Sequence, residues 1–118
     1  MATPLDMNVL DALIDDAGRD MTPRLLRVFI DDTAQQIERA MAAAHAGDRK
    51  TLGVIAHSLK SSAATFAAPD VARVARDLEA EAAEAENQII LDKLLDLQCN
   101  FALTREAMEQ KLIALETP

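Results

Sequence analysis

The sequence has no tryptophan and no tyrosine, and only three phenylalanines, three glycines and one cysteine in 118 residues. Alanine is abundant and leucine close behind, a composition that favours helices over strands. The lone cysteine, Cys99, excludes an internal disulfide and fits a reducing compartment. No apolar run approaches the roughly 20 residues needed to span a bilayer. The first residues, Met1 to Asp6, have neither the basic nor the apolar region of a secretory signal. The expectation is a cytoplasmic protein that does not engage membranes. Basic charge is also scarce: 12 Lys and Arg stand against 20 Asp and Glu, a net charge of −8. A general nucleic-acid binder would want a basic face, so that class is disfavoured. There is no G-x-x-x-x-G-K-[ST] and no Gly-rich loop, so nothing here looks like a nucleotide site.

Half of the residues are hydrophobic, enough for one packed core, and residues 1–118 read as a single domain. Helix punctuation divides the chain. Asp6 caps a short helix carrying Val9, Leu10, Leu13, Ile14 and Ala17, and Gly18 ends it. Thr22-Pro23 reads as an N-cap followed by proline at the first helical position. From there Leu26, Phe29, Ile30, Thr33, Ile37, Ala40, Met41 and Ala44 keep helical spacing to a stop at Gly47. Asp48 caps a third helix reaching about Ala67. Pro69 opens a fourth, with Val71, Val74, Leu78 and Ala82 on one face. Asn87 caps a fifth, where Leu94, Leu97, Phe101, Met108 and Leu115 recur. The acidic, Ala-rich run from Glu79 to Glu86 reads as a solvated helix end. No segment alternates with period two. The expected fold is all-α: an antiparallel up-down-up-down four-helix bundle over about residues 22–116, closed at one end by a short additional N-terminal helix and complete as a monomer.

The charge is unevenly placed. Residues 45–76 hold five basic and two acidic residues, a balance of +3, while the rest holds 7 basic and 18 acidic, a balance of −11. The basic island surrounds His57 and suggests a site for something anionic. On an ideal helix over residues 49–66, Leu52, Ile55, Ala56, Leu59, Ala63 and Phe66 share one face within about 100° of arc. His57 lies roughly 150° from the centre of that face and points to water. Around it on the helix surface are Lys50, Gly53, Val54, Lys60, Ser61 and Ala64. A histidine kept for packing would sit with Leu52 and Leu59. These mostly small neighbours leave the ring open to a large partner surface. Gly53 in particular is unfavourable inside a helix by about 1 kcal/mol relative to Ala.

Such a histidine suits nucleophilic chemistry. An ordinary imidazole, with a pKa of about 6.5, is mostly neutral at pH 7 and can attack phosphorus through a ring nitrogen. Lys60 can then offset charge on the phosphoryl oxygens. A solvated surface histidine without a role fits the same geometry equally well.

The segment His57-Ser58-Leu59-Lys60-Ser61-Ser62-Ala63-Ala64-Thr65-Phe66-Ala67-Ala68 resembles the signature of histidine-containing phosphotransfer (HPt) domains, roughly H-x-L-K-G-S/A-x-A-x-hydrophobic-G-A. Ala46-Gly47-Asp48, Leu78-Glu79 and Phe29-Ile30-Asp31-Asp32 are also similar to the family. The likeness spans about residues 5–110. It implies a four-helix bundle in which His57 accepts a phosphoryl group on Nε2 and Lys60 stabilises it. It implies receiver domains of response regulators or hybrid kinases as partners. Those partners hold the phosphorylated Asp and the Mg²⁺, so the chain itself needs no metal or cofactor. It implies a phosphocarrier rather than an enzyme with its own ATP site, and it places Glu79 near the histidine. Two positions depart from the family: Ser61 and Ala67 stand where glycine is usual. Both are small, so docking is expected to survive.

Other readings remain. A helical adaptor could bind a receiver domain or a histidine kinase without being phosphorylated, although such an adaptor needs neither His57 nor Lys60. A metal or hydrolytic site using His45 and His57 lacks any H-x-x-x-H or E-x-x-H pattern. Redox sensing through Cys99 fits poorly with its place inside the fifth helix beside Phe101.

Overall fold

The computed structural model describes residues 2–117. It contains five helices and, among the described residues, no strand: α1 (Met7–Ala17), α2 (Thr22–His45), α3 (Arg49–Thr65), α4 (Pro69–Glu81) and α5 (Asn87–Glu116). Helices α2 to α5 form the antiparallel bundle. Each packs on its neighbours in the chain, and α5 closes the ring against α2. The 30-residue α5 has a length of about 45 Å at 1.5 Å per residue, close to the 49 Å long axis of the molecule. The 13-residue α4 is the short member. None of the described helices is long and apolar enough to cross a membrane.

The core follows the helical periodicity. Leu26, Leu52, Leu78, Leu94, Leu97 and Met108 are fully buried, and Phe29 stacks on Phe66 with ring centroids 5.3 Å apart. Large apolar side chains from every bundle helix supply the hydrophobic stabilisation. The expected core face of α3 is buried from Leu52 to Ala63, while Phe66, at the helix end, is only partly so.

Most helix boundaries fall at the residues that mark them. The Asp6 carboxylate accepts hydrogen bonds from the Asn8 and Val9 amides, and Gly18, at φ 89°, ends α1. The Asp48 carboxylate accepts from the Thr51 amide at 3.1 Å and from its hydroxyl at 2.6 Å. These bonds hold its carboxyl below the usual range. Two caps differ from expectation. Thr22 lies inside α2 rather than capping it, because its hydroxyl donates back to the Gly18 carbonyl at 2.7 Å. Asn87 is likewise the first helical residue, and Glu86 precedes it in extended conformation. The Asn87 side chain instead accepts from the Arg49 guanidinium at 2.8 Å. That guanidinium also reaches the Ala82 carbonyl at 2.9 Å, so the start of α3 is clamped to the turn between α4 and α5.

Helix α1 closes one end, with Leu10 fully buried beneath it. The Asp6 amide donates to the Ala67 carbonyl at 2.8 Å, the Thr104 hydroxyl to the Pro4 carbonyl at 2.7 Å, and the Thr3 amide to Asp70 at 2.6 Å. Ala67 adopts φ 66°, a conformation that favours glycine and is disfavoured for alanine by about 1–2 kcal/mol. Its fully buried methyl group offsets part of that cost. A side chain thus stands in a left-handed position between α3 and α4.

Candidate functional site

The site is set by the antiparallel register of α3 and α4. A Cβ added at Gly53 would lie 3.7 Å from the Ala82 Cβ, and one turn along α3 His57 and Lys60 both face Glu79. His57 Nδ1 lies 2.5 Å from Glu79 Oε2, and the Lys60 ammonium donates to Glu79 Oε1 at 2.7 Å. One carboxylate therefore holds both residues that sequence reasoning singled out. The His57 side chain is 65 % exposed, against 28 % for Glu79 and 33 % for Lys60. The bridge lies half-sunk in the groove between the helices while the imidazole stands above it.

The electrostatics fix the chemistry of the ring. The Lys60 hydrogen bond, helped by the one from His57, keeps the Glu79 carboxyl below the ordinary range, against the opposing effect of burial. An ionised carboxylate can only accept hydrogen bonds, so Nδ1 must carry the proton. In the neutral tautomer that this bond selects, the lone pair sits on Nε2, the nitrogen away from the carboxylate. The arrangement presents an oriented imidazole with a carboxylate behind it and an ammonium one turn away.

The surrounding residues divide into two groups. Val54, Ser61 and Ala64 are exposed on the same side of α3 as His57, and Val54 offers an apolar surface that is 64 % accessible. Lys50 is exposed nearer the start of α3. Gly53 is half-buried on the side facing Ala82. Because the added Cβ would make only an ordinary contact with Ala82, Gly53→Ala is expected to raise stability by about 1 kcal/mol through helix propensity. A denaturant melt showing no gain would mean that α3 and α4 cannot accommodate the methyl group.

The run from Glu79 to Glu86 is not uniformly solvated. Glu79 belongs to the site, Ala82 is buried, and residues 82–85 form a turn. Periodicity alone did not single out Glu79, whose partners lie 19 and 22 residues away. His45 is remote from this cluster: it borders a small recess with Ala44, Asn87, Ile90 and Leu91. Among the described residues no group of three or more His, Cys, Asp or Glu side chains is placed to hold a metal ion. Cys99 lies exposed on α5.

Comparison with known proteins agrees with this geometry. The Hpt domain family model matches residues 24–117. The crystal structure of histidine-containing phosphotransfer protein B from Pseudomonas aeruginosa PAO1 superimposes with a TM-score of 0.90 at 29 % identity, covering 97 % of this chain and 98 % of that one. The HPT domain of a sensor hybrid histidine kinase from Shewanella shares the fold with a TM-score of 0.78 at 16 % identity, covering 97 % of both chains. A comparison with curated proteins gave no match. With the family match extending from early α2 through α5 and the whole bundle superimposing, the chain belongs to the Hpt domain family.

Proposed function

We propose that His57 is the residue through which this chain carries a phosphoryl group, and that Glu79 and Lys60 serve it. As an Hpt domain the chain performs histidine phosphotransfer in a phosphorelay. The observation that carries the assignment is the contact between Glu79 and His57 Nδ1, which orients an exposed ring with Nε2 as the nitrogen left for attack.

The step balances without a general base. The Nε2 lone pair attacks phosphorus of an aspartyl phosphate on a receiver domain. The N–P bond forms as the P–O bond to the aspartyl carboxyl breaks, and the partner recovers its carboxylate. The ring gains positive charge while its Nδ1 proton stays in place, and the Glu79 carboxylate lies against that proton. Lys60 starts on Glu79, so its ammonium must turn from the carboxylate to reach phosphoryl oxygens; a flexible four-carbon stem permits this. Any Mg²⁺ is assigned to the receiver, which holds the aspartate. The chain acts as a carrier between partners, and nothing in the site calls for ATP.

The test is transfer from a receiver domain bearing a labelled aspartyl phosphate. Acid-labile, base-stable label on the protein is expected. No label from a panel of receivers, despite measurable binding to one of them, would make the chain an adaptor.

A further inference from the structure

Beside the His57 site a groove of about 430 Å³ continues along α3 and α4 toward α1. Val9, Ala64 and Ala72 give it an apolar floor, and Lys60, Arg73 and Arg76 are basic residues along it. On α4, Pro69, Arg73, Arg76 and Glu79 follow one another at intervals of three or four, so the groove side of α4 ends at the carboxylate that holds His57. Arg76 lies about 4.5 Å and Arg73 about 9 Å along the helix axis from Glu79.

Neither arginine is used up by the chain itself. The nearest carboxylates are 3.9 Å away, Asp70 from Arg73 and Asp77 from Arg76, and neither guanidinium donates a hydrogen bond among the described residues. Arg73 is 50 % and Arg76 65 % exposed. Asp6 is the groove's one acidic residue, and it is occupied in capping α1. A specific interface covers roughly 800 Å² per partner, a disc about 16 Å in radius. Any partner centred on His57 must therefore cover both arginines. Leaving them unmatched under an interface would weaken it, whereas facing carboxylates would strengthen it. The rest of the chain is strongly acidic and would repel the same partner in other orientations.

We propose that Arg73 and Arg76 are specificity-determining residues that select a receiver domain presenting carboxylates beside its phosphorylation site. This deepens the reading of His57 as the carrier and rests on it for the identity of the partner. The arginines fix which receiver docks and in what orientation; they take no part in the phosphoryl step.

The experiment uses the receiver that transfers fastest to the wild type, or binds it tightest should none transfer. Its dissociation constant is measured by calorimetry for wild type, Arg73→Glu/Arg76→Glu and a matched-charge control, Arg24→Glu/Lys111→Glu, on α2 and α5. Melting curves check folding, and Arg73→Gln/Arg76→Gln provides a milder second variant. The α4 reversal is expected to weaken binding at least tenfold and to flatten its salt dependence. The Gln pair should weaken it less and the control within about twofold. Phosphoramidate, a small donor that needs no docking, should label His57 equally in all folded variants. Unchanged affinity in the α4 variants would overturn the proposal, as would an equal loss in the control. Loss of phosphoramidate labelling with affinity intact would also overturn it, because the arginines would then act on the chemistry. Failure of the wild type to accept label from either donor would overturn the His57 reading, and the binding constants would still decide the docking claim.

Discussion

His57→Gln is expected to take up no label from a phosphorylated receiver or from phosphoramidate, a loss limited only by the detection threshold. The amide of glutamine has no nitrogen lone pair available for attack on phosphorus, so no partial activity should remain. The fold should be unaffected. The side chain is 65 % exposed and belongs to no part of the core, and a change at such a place usually alters stability by no more than about 0.5 kcal/mol. Helicity and the melting curve should therefore match the wild type while acceptance disappears. A variant that still carries acid-labile label would place the phosphoryl group elsewhere. His45 would then be the first residue to replace, because it is the only other histidine.

The second large effect is expected at Glu79. Glu79→Ala removes the acceptor that fixes the Nδ1 proton and releases Lys60 at the same time. Partners that hold a metal-bound histidine in its tautomer are worth ten- to a hundredfold in activity, and a loss of that order in transfer rate is expected here. Glu79→Gln keeps a carbonyl oxygen that can still accept from Nδ1 and should lose less. Because one carboxylate serves both residues, Glu79→Ala combined with Lys60→Ala should fall short of the product of the single losses. Full multiplicativity would show that the bridge does not operate in solution. The bridge also has a pH signature. Glu79 is held below its ordinary value of 4.5, so its contribution to stability is complete above that value and is lost only as pH falls through the lower folded value. The stability that Glu79 adds over Glu79→Gln should shrink as pH falls below about 4.5, as followed by denaturant melts.

Much of this architecture could be read from local chemistry. Asp6, Asp48, Gly18, Gly47 and Pro69 act on their immediate neighbours, so the breaks they predict fall where expected. The exposure of His57 followed from its angle to Leu52 and Leu59 on the same helix. Thr22 and Asn87 carry the residue types of caps but do not cap, because the Gly18 carbonyl one turn back claims the Thr22 hydroxyl and Arg49 of α3 claims the Asn87 side chain. Helical spacing shows that Gly53 leaves space near His57, but not that Ala82 at the end of α4 borders it, because a missing side chain does not say which neighbour lies across the gap. Glu79 could be reached only through family likeness, since helical spacing says nothing about the register between α3 and α4. The basic island was visible in the sequence, but not that Arg73 and Arg76 would line up on the side of α4 that ends at the histidine's carboxylate.

The attachment of α1 has a consequence for motion. The family match begins inside α2, yet the N-terminal segment is tied to the bundle through Ala67, Asp70 and Thr104 and plugs it with Leu10. With so few ties, α1 is expected to open as a local unit, its amides exchanging together and sooner than those of α3 in a hydrogen-exchange measurement. When it swings away, the groove loses Val9 and Asp6 from its wall, while the contact between Glu79 and His57 lies on helices that have not moved. The arginines that select a partner and the carboxylate that aims the imidazole share α4, so only the far wall of the groove follows the motion of α1.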